Sequence, residues 1–431
     1  MASAKELHAA LSSARGTGIL RQLYGDKASA VEEQGARYAA LMEHFSSLFP
    51  EDRDPRIFST PGRTEVGGNH TDHNAGRVLA AAVNLDAVAV VARSTDGRIA
   101  IQSEGYPRQD IRVDDLARRD SEAGTAHALT RGVAARFREL GHELGGFHAC
   151  ITSSVLKGSG LSSSASYEVL IATIINRLFN AGRIGDLEIA MISQYAENRY
   201  FGKPCGLMDQ TTCAVGGFVT IDFKDFSRPL VQKVPFDFSA QGFSLVIVDT
   251  GGSHADLTED YAAIEREMKD VARALGGRVL REFSRDIVLA EIPSLRKRVT
   301  DRAILRALHF FADDARVVEQ VAALENGRFD DFLCLVIESG RSSWMLLQNC
   351  YSHRTVDRQG VSIGLAASQA ILEGSGAWRV HGGGFAGTIQ AFVPEAKLAE
   401  YLAAMRALFG PTSCHDLMIR PVGTTMFDLA Y

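Results

Sequence analysis

The run Lys157-Gly158-Ser159-Gly160-Leu161-Ser162-Ser163-Ser164-Ala165 dictates a tight loop that opens directly into a helix. Residues 148–155 before it read as a strand, and residues 164–180 after it as a helix with Val169, Leu170, Ile174 and Leu178 on its apolar side. A glycine–serine loop at a helix start aims backbone N–H groups and the positive end of the helix dipole at one point. That is how a backbone holds an anion. The run lacks the Gly-Lys-Ser/Thr ending of a P-loop, so it is a different kind of phosphate cradle. Taken alone, the same residues also fit a serine-rich helix cap after a glycine turn.

Two further glycine-rich segments stand apart. One runs from Pro61-Gly62-Arg63 to Gly68-Asn69-His70-Thr71-Asp72, the other is His381-Gly382-Gly383-Gly384-Phe385-Ala386-Gly387. Gly382, Gly384 and Gly387 have the spacing of a dinucleotide fingerprint, but a strand-like segment at 388–393 follows where a helix is required. Between these segments, Glu197 sits on a helix that starts near Asp186, a residue suited to its N-cap. Asp209 lies in Pro204-Cys205-Gly206-Leu207-Met208-Asp209-Gln210. Phosphoryl transfer to an alcohol needs one group to hold Mg²⁺ and another to orient or deprotonate the hydroxyl. Spacing alone reads the two carboxylates as an exposed helix glutamate and a turn aspartate. Asp249-Thr250-Gly251 has no second Asp-Thr/Ser-Gly to make an aspartic-protease pair.

With 431 residues the chain is too long for one simple core, so two domains are expected, at 1–225 and 226–431. A net charge of −6 argues against nucleic acid as the main partner. No stretch of about 18 apolar residues is present to span a membrane. Cys150, Cys205, Cys213, Cys334, Cys350 and Cys414 have neither zinc-site nor disulfide-framework spacing, which suits reduced thiols in a cytoplasmic protein.

Residues 1–50 read as helical, with 1–30 an extension. Residues 83–91 and 99–101 read as strands joined by a turn at Asp96-Gly97, and 126–144 as an amphipathic helix. Strands are also expected at 217–222, 243–249, 379–380 and 388–393, with mostly helix over 255–326 and at 361–372.

Together the three glycine segments resemble the GHMP family of small-molecule kinases and, within it, the galactokinase branch. The middle run resembles the second GHMP motif, Pro-x-Gly-x-Gly-Leu-Ser-Ser-Ser-Ala, with Leu156 in place of the proline. The last resembles the third, Met-Thr-Gly-Gly-Gly-Phe-Gly-Gly, with Val380-His381 and Ala386 as departures. The galactokinase signature is Gly-Arg-Val-Asn-Leu-Ile-Gly-Glu-His-Thr-Asp-Tyr-Asn. This chain keeps Arg63, Gly68, His70, Thr71, Asp72 and Asn74, but has Glu65 for the asparagine, Asn69 for the glutamate and His73 for the tyrosine.

The resemblance implies an α+β, two-domain fold with the active site in the cleft between domains. It implies ATP-dependent phosphorylation of the C1 hydroxyl of a galactose-type sugar. Asp209 would be the base-like residue and Arg63 its catalytic partner, keeping the carboxylate ionised and neutralising charge on the phosphoryl group. Gly158, Ser159, Gly160, Leu161, Ser162, Ser163 and Ser164 would hold the phosphates of ATP. Ser164 and Glu197 would ligate Mg²⁺. Asn69, His70, Asp72 and Tyr261 would contact the sugar, and Gly382, Gly383, Gly384 and Gly387 would let backbone approach the substrates. Small molecules are the expected partners, with a monomer or dimer as the assembly. Loss of the glutamate charge at Asn69, with His73 and with Gly340 at a position where the family has histidine, keeps galacturonate, N-acetylgalactosamine or another sugar open as substrate. A non-catalytic sugar sensor on the same fold is the reading from another class.

Overall fold

The computed structural model describes residues 4–156, 160–252, 257–354, 356–427 and 429. Twelve strands among these residues form two sheets. The first takes β1 (Arg56–Gly67), β2 (Arg77–Ser94), β3 (Arg98–Ser103), β4 (Gln109–Arg112), β5 (Gly146–Ser153), β6 (Phe218–Asp222) and β7 (Leu230–Val234). The second takes β8 (Phe243–Asp249), β9 (Ala377–Val380), β10 (Thr388–Pro394) and β11 (Cys414–Leu417); the last strand, β12 (Thr425–Met426), returns to the first sheet.

The first sheet runs β12-β1-β2-β5-β3-β4. Its long strand β2 divides its far edge: residues 77–81 pair with β6, and residues 87–94 with β5. All pairs are antiparallel except β3 with β5. The turn expected at Asp96-Gly97 is present, but it closes no hairpin, because β5 lies between the two strands it joins. Strand adjacency is a long-range property that a local turn signal does not carry. The expected domain break at 225/226 falls between β6 and β7, which pair with each other. The second sheet is antiparallel throughout, in the order β11-β8-β10-β9.

Alternation along the strands sends side chains to two cores. Phe58, Ala87, Ala89 and Val91 face α4 (Ala126–Glu139), α5 (Ser163–Phe179), α6 (Asp186–Ala196) and α7 (Met208–Val215). Ile57, Val88 and Val90 face the opposite way, onto Leu20, Tyr38, Met42 and Phe45. Those residues belong to α2 (Ala14–Tyr24) and α3 (Ala28–Leu48), which with α1 (Ala4–Leu11) cover that face. Full burial of a side chain such as Phe45 is worth about 1.5–3 kcal/mol, so the helical start of the chain is a wall of the core. A third cluster joins the two sheets through Leu79, Phe218, Leu245, Ile247, Phe332 and Phe392.

The later helices are α8 (Thr258–Ala274), the short α9 (Arg285–Ala290) and α10 (Ile292–Leu295), α11 (Asp301–Glu325), α12 (Phe329–Ser342), α13 (Gly360–Leu372) and α14 (Glu395–Phe409). Two helix ends differ from expectation. The helix α4 stops at Glu139 rather than 144, where Gly141 takes a φ of 78°. Asp186 is the first residue of α6 and not its cap; Gly185 occupies that position. A carboxylate in the first turn still favours the helix through the dipole.

Candidate active site

The site grows from an irregularity in β1. Its register with β2 shifts between Pro61 and Arg63, a bulge that re-aims the arginine. Gly62 is needed there: a Cβ would lie 2.9 Å from the Leu161 carbonyl oxygen and 3.1 Å from Val155. The strand can therefore run against the glycine–serine loop, and the Arg63 N–H donates to the Leu161 carbonyl at 3.2 Å.

Arg63 grips Asp209 at both oxygens. Nε donates to Oδ1 at 2.7 Å, and Nη2 lies 2.6 Å from Oδ2. Its Nη1 donates to the Gly160 carbonyl, and the Ser162 hydroxyl donates to Asp209 Oδ2. Burial works against the arginine's charge, but the attraction of Asp209 and their hydrogen bonds outweigh it and raise its pKa. Ser162 stands at the N-cap position of α5 with φ 59°, yet caps nothing, because its hydroxyl is turned to Asp209. The first turn of α5, with Ser163 and Ser164, thus has no side-chain cap on its N–H groups. Gly158 and Ser159 lie outside the described residues.

Beside this clamp, the Ser164 hydroxyl donates to Glu197 Oε1 at 2.9 Å. Glu197 opens a π turn, Glu197–Phe201, at the end of α6, and is buried. Serine hydroxyl and carboxylate are hard oxygen donors of the kind Mg²⁺ takes while keeping several waters. Behind them Gln210 reaches Glu168, a buried carboxylate one helical turn beyond Ser164. Burial, then the Glu197 carboxylate, pushes the Glu168 pKa well up.

The third glycine segment, between β9 and β10, gathers three of the four residues expected at the sugar. Asn69 Nδ2 donates to the Gly382 carbonyl at 2.8 Å, His70 Nε2 lies 3.1 Å from the Gly383 carbonyl oxygen, and the Tyr261 hydroxyl donates to Gly384 at 2.8 Å. Gly384 has φ 81°, and a Cβ there would meet the Asn349 carbonyl oxygen at 2.1 Å. Gly387 donates to Gly251 and accepts from Thr250, tying the segment to the end of β8. The fourth residue, Asp72, lies apart, half-buried beside His73 Nε2 at 3.5 Å and against Gly206. It faces the turn that leads to Asp209.

Asn69 is wholly buried and its side chain is fully engaged. Besides Gly382, Nδ2 donates to Glu65 Oε1 at 2.8 Å, while Oδ1 accepts from Asn349 at 2.8 Å and from Ser343 at 3.2 Å. A contact from Asn69 to a sugar would require one of these bonds to be given up. Glu65 in turn pairs with the buried Arg379 at 2.9 Å. Burial pushes the Glu65 pKa up, and Arg379 and Asn69 counter only part of the shift. Gly340 packs under that arginine: a Cβ would lie 3.0 Å from Arg379 Cβ and 3.1 Å from the Trp378 carbonyl oxygen. Its neighbours are thus β9 and not the sugar-side residues.

Several members of the site escape a sequence reading. His381 bridges Thr64 and Thr388 at 3.0 and 2.9 Å, and its ring abuts Gly160 of the phosphate loop. His309 and Asp313 fix the Asn69 backbone at 2.9 and 2.8 Å. Glu168 gives one signal, a carboxylate on the otherwise apolar side of α5, and His381 another, as a departure from the third motif; His309 and Asp313 give none.

Comparison with known proteins bears on the family and the fold. The family model described as GHMP kinases N terminal domain matches residues 128–217, and that of the galactokinase galactose-binding signature matches residues 43–93. The galactokinase of Streptomyces coelicolor is 32% identical over 374 residues, 85% of this chain and 92% of that protein. The galactokinase of Homo sapiens is 32% identical over 317 residues, covering 70% and 78%. Among solved structures, Lactococcus lactis galactokinase complexed with galactose superposes with a TM-score of 0.77 at 22% identity, over 90% of this chain and 99% of that one. Mevalonate kinase from Methanococcus jannaschii gives 0.60 at 15% identity, over 84% and 98%. In sequence and in fold, this chain belongs to the GHMP kinases, in their galactokinase branch.

Proposed function

We propose that this enzyme transfers the γ-phosphoryl group of ATP to the C1 hydroxyl of a galactose-type sugar, with galactose itself the substrate, giving sugar 1-phosphate and ADP. The observation that carries the reading is the Arg63–Asp209 clamp closed by Ser162 from the phosphate loop. It joins a carboxylate suited to an attacking hydroxyl to a loop suited to a phosphate.

In this reading the loop N–H groups and Ser163 hold the phosphates. Asp209 orients the C1 hydroxyl and takes its proton as the new O–P bond forms and the bond from the γ-phosphorus to the β–γ bridging oxygen breaks. Arg63 fixes the carboxylate's orientation and offsets negative charge at the reacting group. Asp72, which keeps the freest carboxylate of the set, accepts from vicinal ring hydroxyls and so places C1 in line. Ser164 and Glu197 would hold Mg²⁺. When bound, the ion neutralises charge on the phosphate oxygens.

The test is ADP release with Mg·ATP across galactose, galacturonate, N-acetylgalactosamine, glucose and arabinose. Galactose should turn over best. Asp209→Ala should lose turnover about 10³-fold while retaining ATP binding. A sugar other than galactose at the head of the series would overturn the substrate assignment. Sugar binding without turnover in the unaltered protein would overturn the reaction.

A further inference from the structure

The buried amide behind the metal ligands has a role of its own. Gln210 is fully buried, directly after Asp209 on α7. Its Nε2 donates to Glu168 Oε1 at 2.7 Å and to Glu197 Oε2 at 2.9 Å, so one amide group spends both protons on two carboxylates. The Cys205 thiol donates to the same Glu197 Oε2 at 3.2 Å. The two oxygens of Glu197 are therefore divided. Oε2 is fastened to the protein interior, and Oε1 is left to the Ser164 hydroxyl at 2.9 Å and to the exposed Lys203 amine at 3.4 Å.

We propose that Gln210 is the positioning residue for Glu197: by pinning Oε2, it presents Oε1 beside Ser164 as a single-oxygen ligand for Mg²⁺. The proposal rests on the assignment of Ser164 and Glu197 as the metal site. Three features support it. Glu197 sits in a π turn, a backbone form concentrated at functional sites, so its own helix does not fix its direction. Without the amide, Oε2 of Glu197 would keep only the weaker Cys205 thiol donor, too little to hold the carboxylate turned toward Ser164. Finally, Gln210 Oε1 and Glu168 Oε2 are buried with no hydrogen-bond partner among the described residues. A network selected for stability alone would not retain such atoms. The outer partners of metal ligands orient the ligand and set affinity, which is the part Gln210 plays.

The experiment compares Gln210→Met, Cys205→Ala and Glu197→Gln with the unaltered enzyme. The readouts are Mn²⁺ binding by electron paramagnetic resonance in the presence of ADP, the Mg²⁺ dependence of turnover, the KM for sugar, and the thermal midpoint. In Gln210→Met, Mn²⁺ binding should weaken about tenfold or more, with a parallel rise in the Mg²⁺ needed for half-maximal rate and an unchanged KM for sugar. Cys205→Ala, which removes only the weaker donor, should shift in the same direction by about two- to fivefold and serves where Gln210→Met does not fold. If Glu197→Gln loses Mn²⁺ while Gln210→Met, or Cys205→Ala in its place, keeps unaltered binding, the positioning role is overturned and the metal site stands. If Glu197→Gln binds Mn²⁺ as the unaltered enzyme does, the metal assignment fails, and the positioning role falls with it.

Discussion

Asn69 and Glu65 hold one another across 2.8 Å, amide to carboxylate, at positions where the galactokinase signature has glutamate and asparagine in the reverse order. The chain has exchanged the two side chains, and here they bond to one another. The carboxylate now sits on the Arg379 side, locked in a buried ion pair. Reversion of one partner should therefore cost more than reversion of both. Asn69→Glu sets two buried carboxylates together and should destabilise by about 3 kcal/mol. Asn69→Glu with Glu65→Asn should recover most of that loss. Denaturant unfolding of the four proteins in the cycle reads the coupling, expected at about 1–3 kcal/mol. Strict additivity would show that the two sites are independent.

Ser162 serves twice, by its hydroxyl on Asp209 and by its backbone at φ 59°. The two roles separate in a pair of variants. Ser162→Ala and Ser162→Gly should lower kcat by a similar factor of about ten, since both lose the hydroxyl. They should differ in stability, with glycine the more stable by about 1 kcal/mol, because only glycine enters the left-handed region without cost. Steady-state kinetics and thermal unfolding of both variants check this.

Burial, and after it the charge of His73, pulls the His70 pKa from 6.5 to about 4; the Gly383 carbonyl and Asp72 act the other way. The sign follows directly. Above pH 6.5 the ring is neutral in both states and has no effect. As pH falls from 6.5 toward 4, the unfolded chain takes a proton that the folded one refuses, and stability drops by up to about 1.4 kcal/mol per pH unit. The buried His309, whose pKa is also lowered, adds to the trend. Unfolding midpoints at pH 7, 6 and 5 should decline, and His70→Gln should flatten the decline. An unchanged slope in that variant would remove His70 from the account.

Asp86 is wholly buried and shared by four partners: Tyr24 and Ser59 at 2.5 Å, Arg37 at 2.7 Å and Arg420 at 3.2 Å. Asp86→Ala strands two guanidinium groups and should cost about 3–5 kcal/mol. Tyr24→Phe removes a single bond and should cost about 1 kcal/mol. Denaturant titration of each variant tests the order.

The strand–loop–helix around residues 146–179 is written locally, in glycine, serine and apolar periodicity, and its boundaries lie within two residues of expectation. Arg63 and Asp209 were nameable because motif residues sit at fixed offsets. What stayed hidden depends on contacts far apart in sequence. Arg379 reaches Glu65 across 314 positions, and nothing near either residue announces the other. The same holds for β5, which inserts between β2 and β3, and for Asn69, whose engagement is decided by Ser343 and Asn349. The alternating pattern gives a strand's faces and leaves its neighbour unspecified. Gly340, legible as a departure, became interpretable only once β9 was seen to cross it.

The return of β12 to the edge of β1 has a consequence for how the protein is made. Phe58 and Ser59 find their pairing partners at Met426 and Thr425, and Arg420 closes the network around Asp86. A ribosome delivers those residues long after the strands they join, Arg420 being 334 positions beyond Asp86. The first sheet, which carries Arg63, therefore emerges with an open edge, and Asp86, already held by Tyr24, Ser59 and Arg37, waits for its last partner until the segment from Arg420 to β12 has been made. A nascent chain halted before residue 420 would present that unpaired strand edge to its neighbours on the polysome.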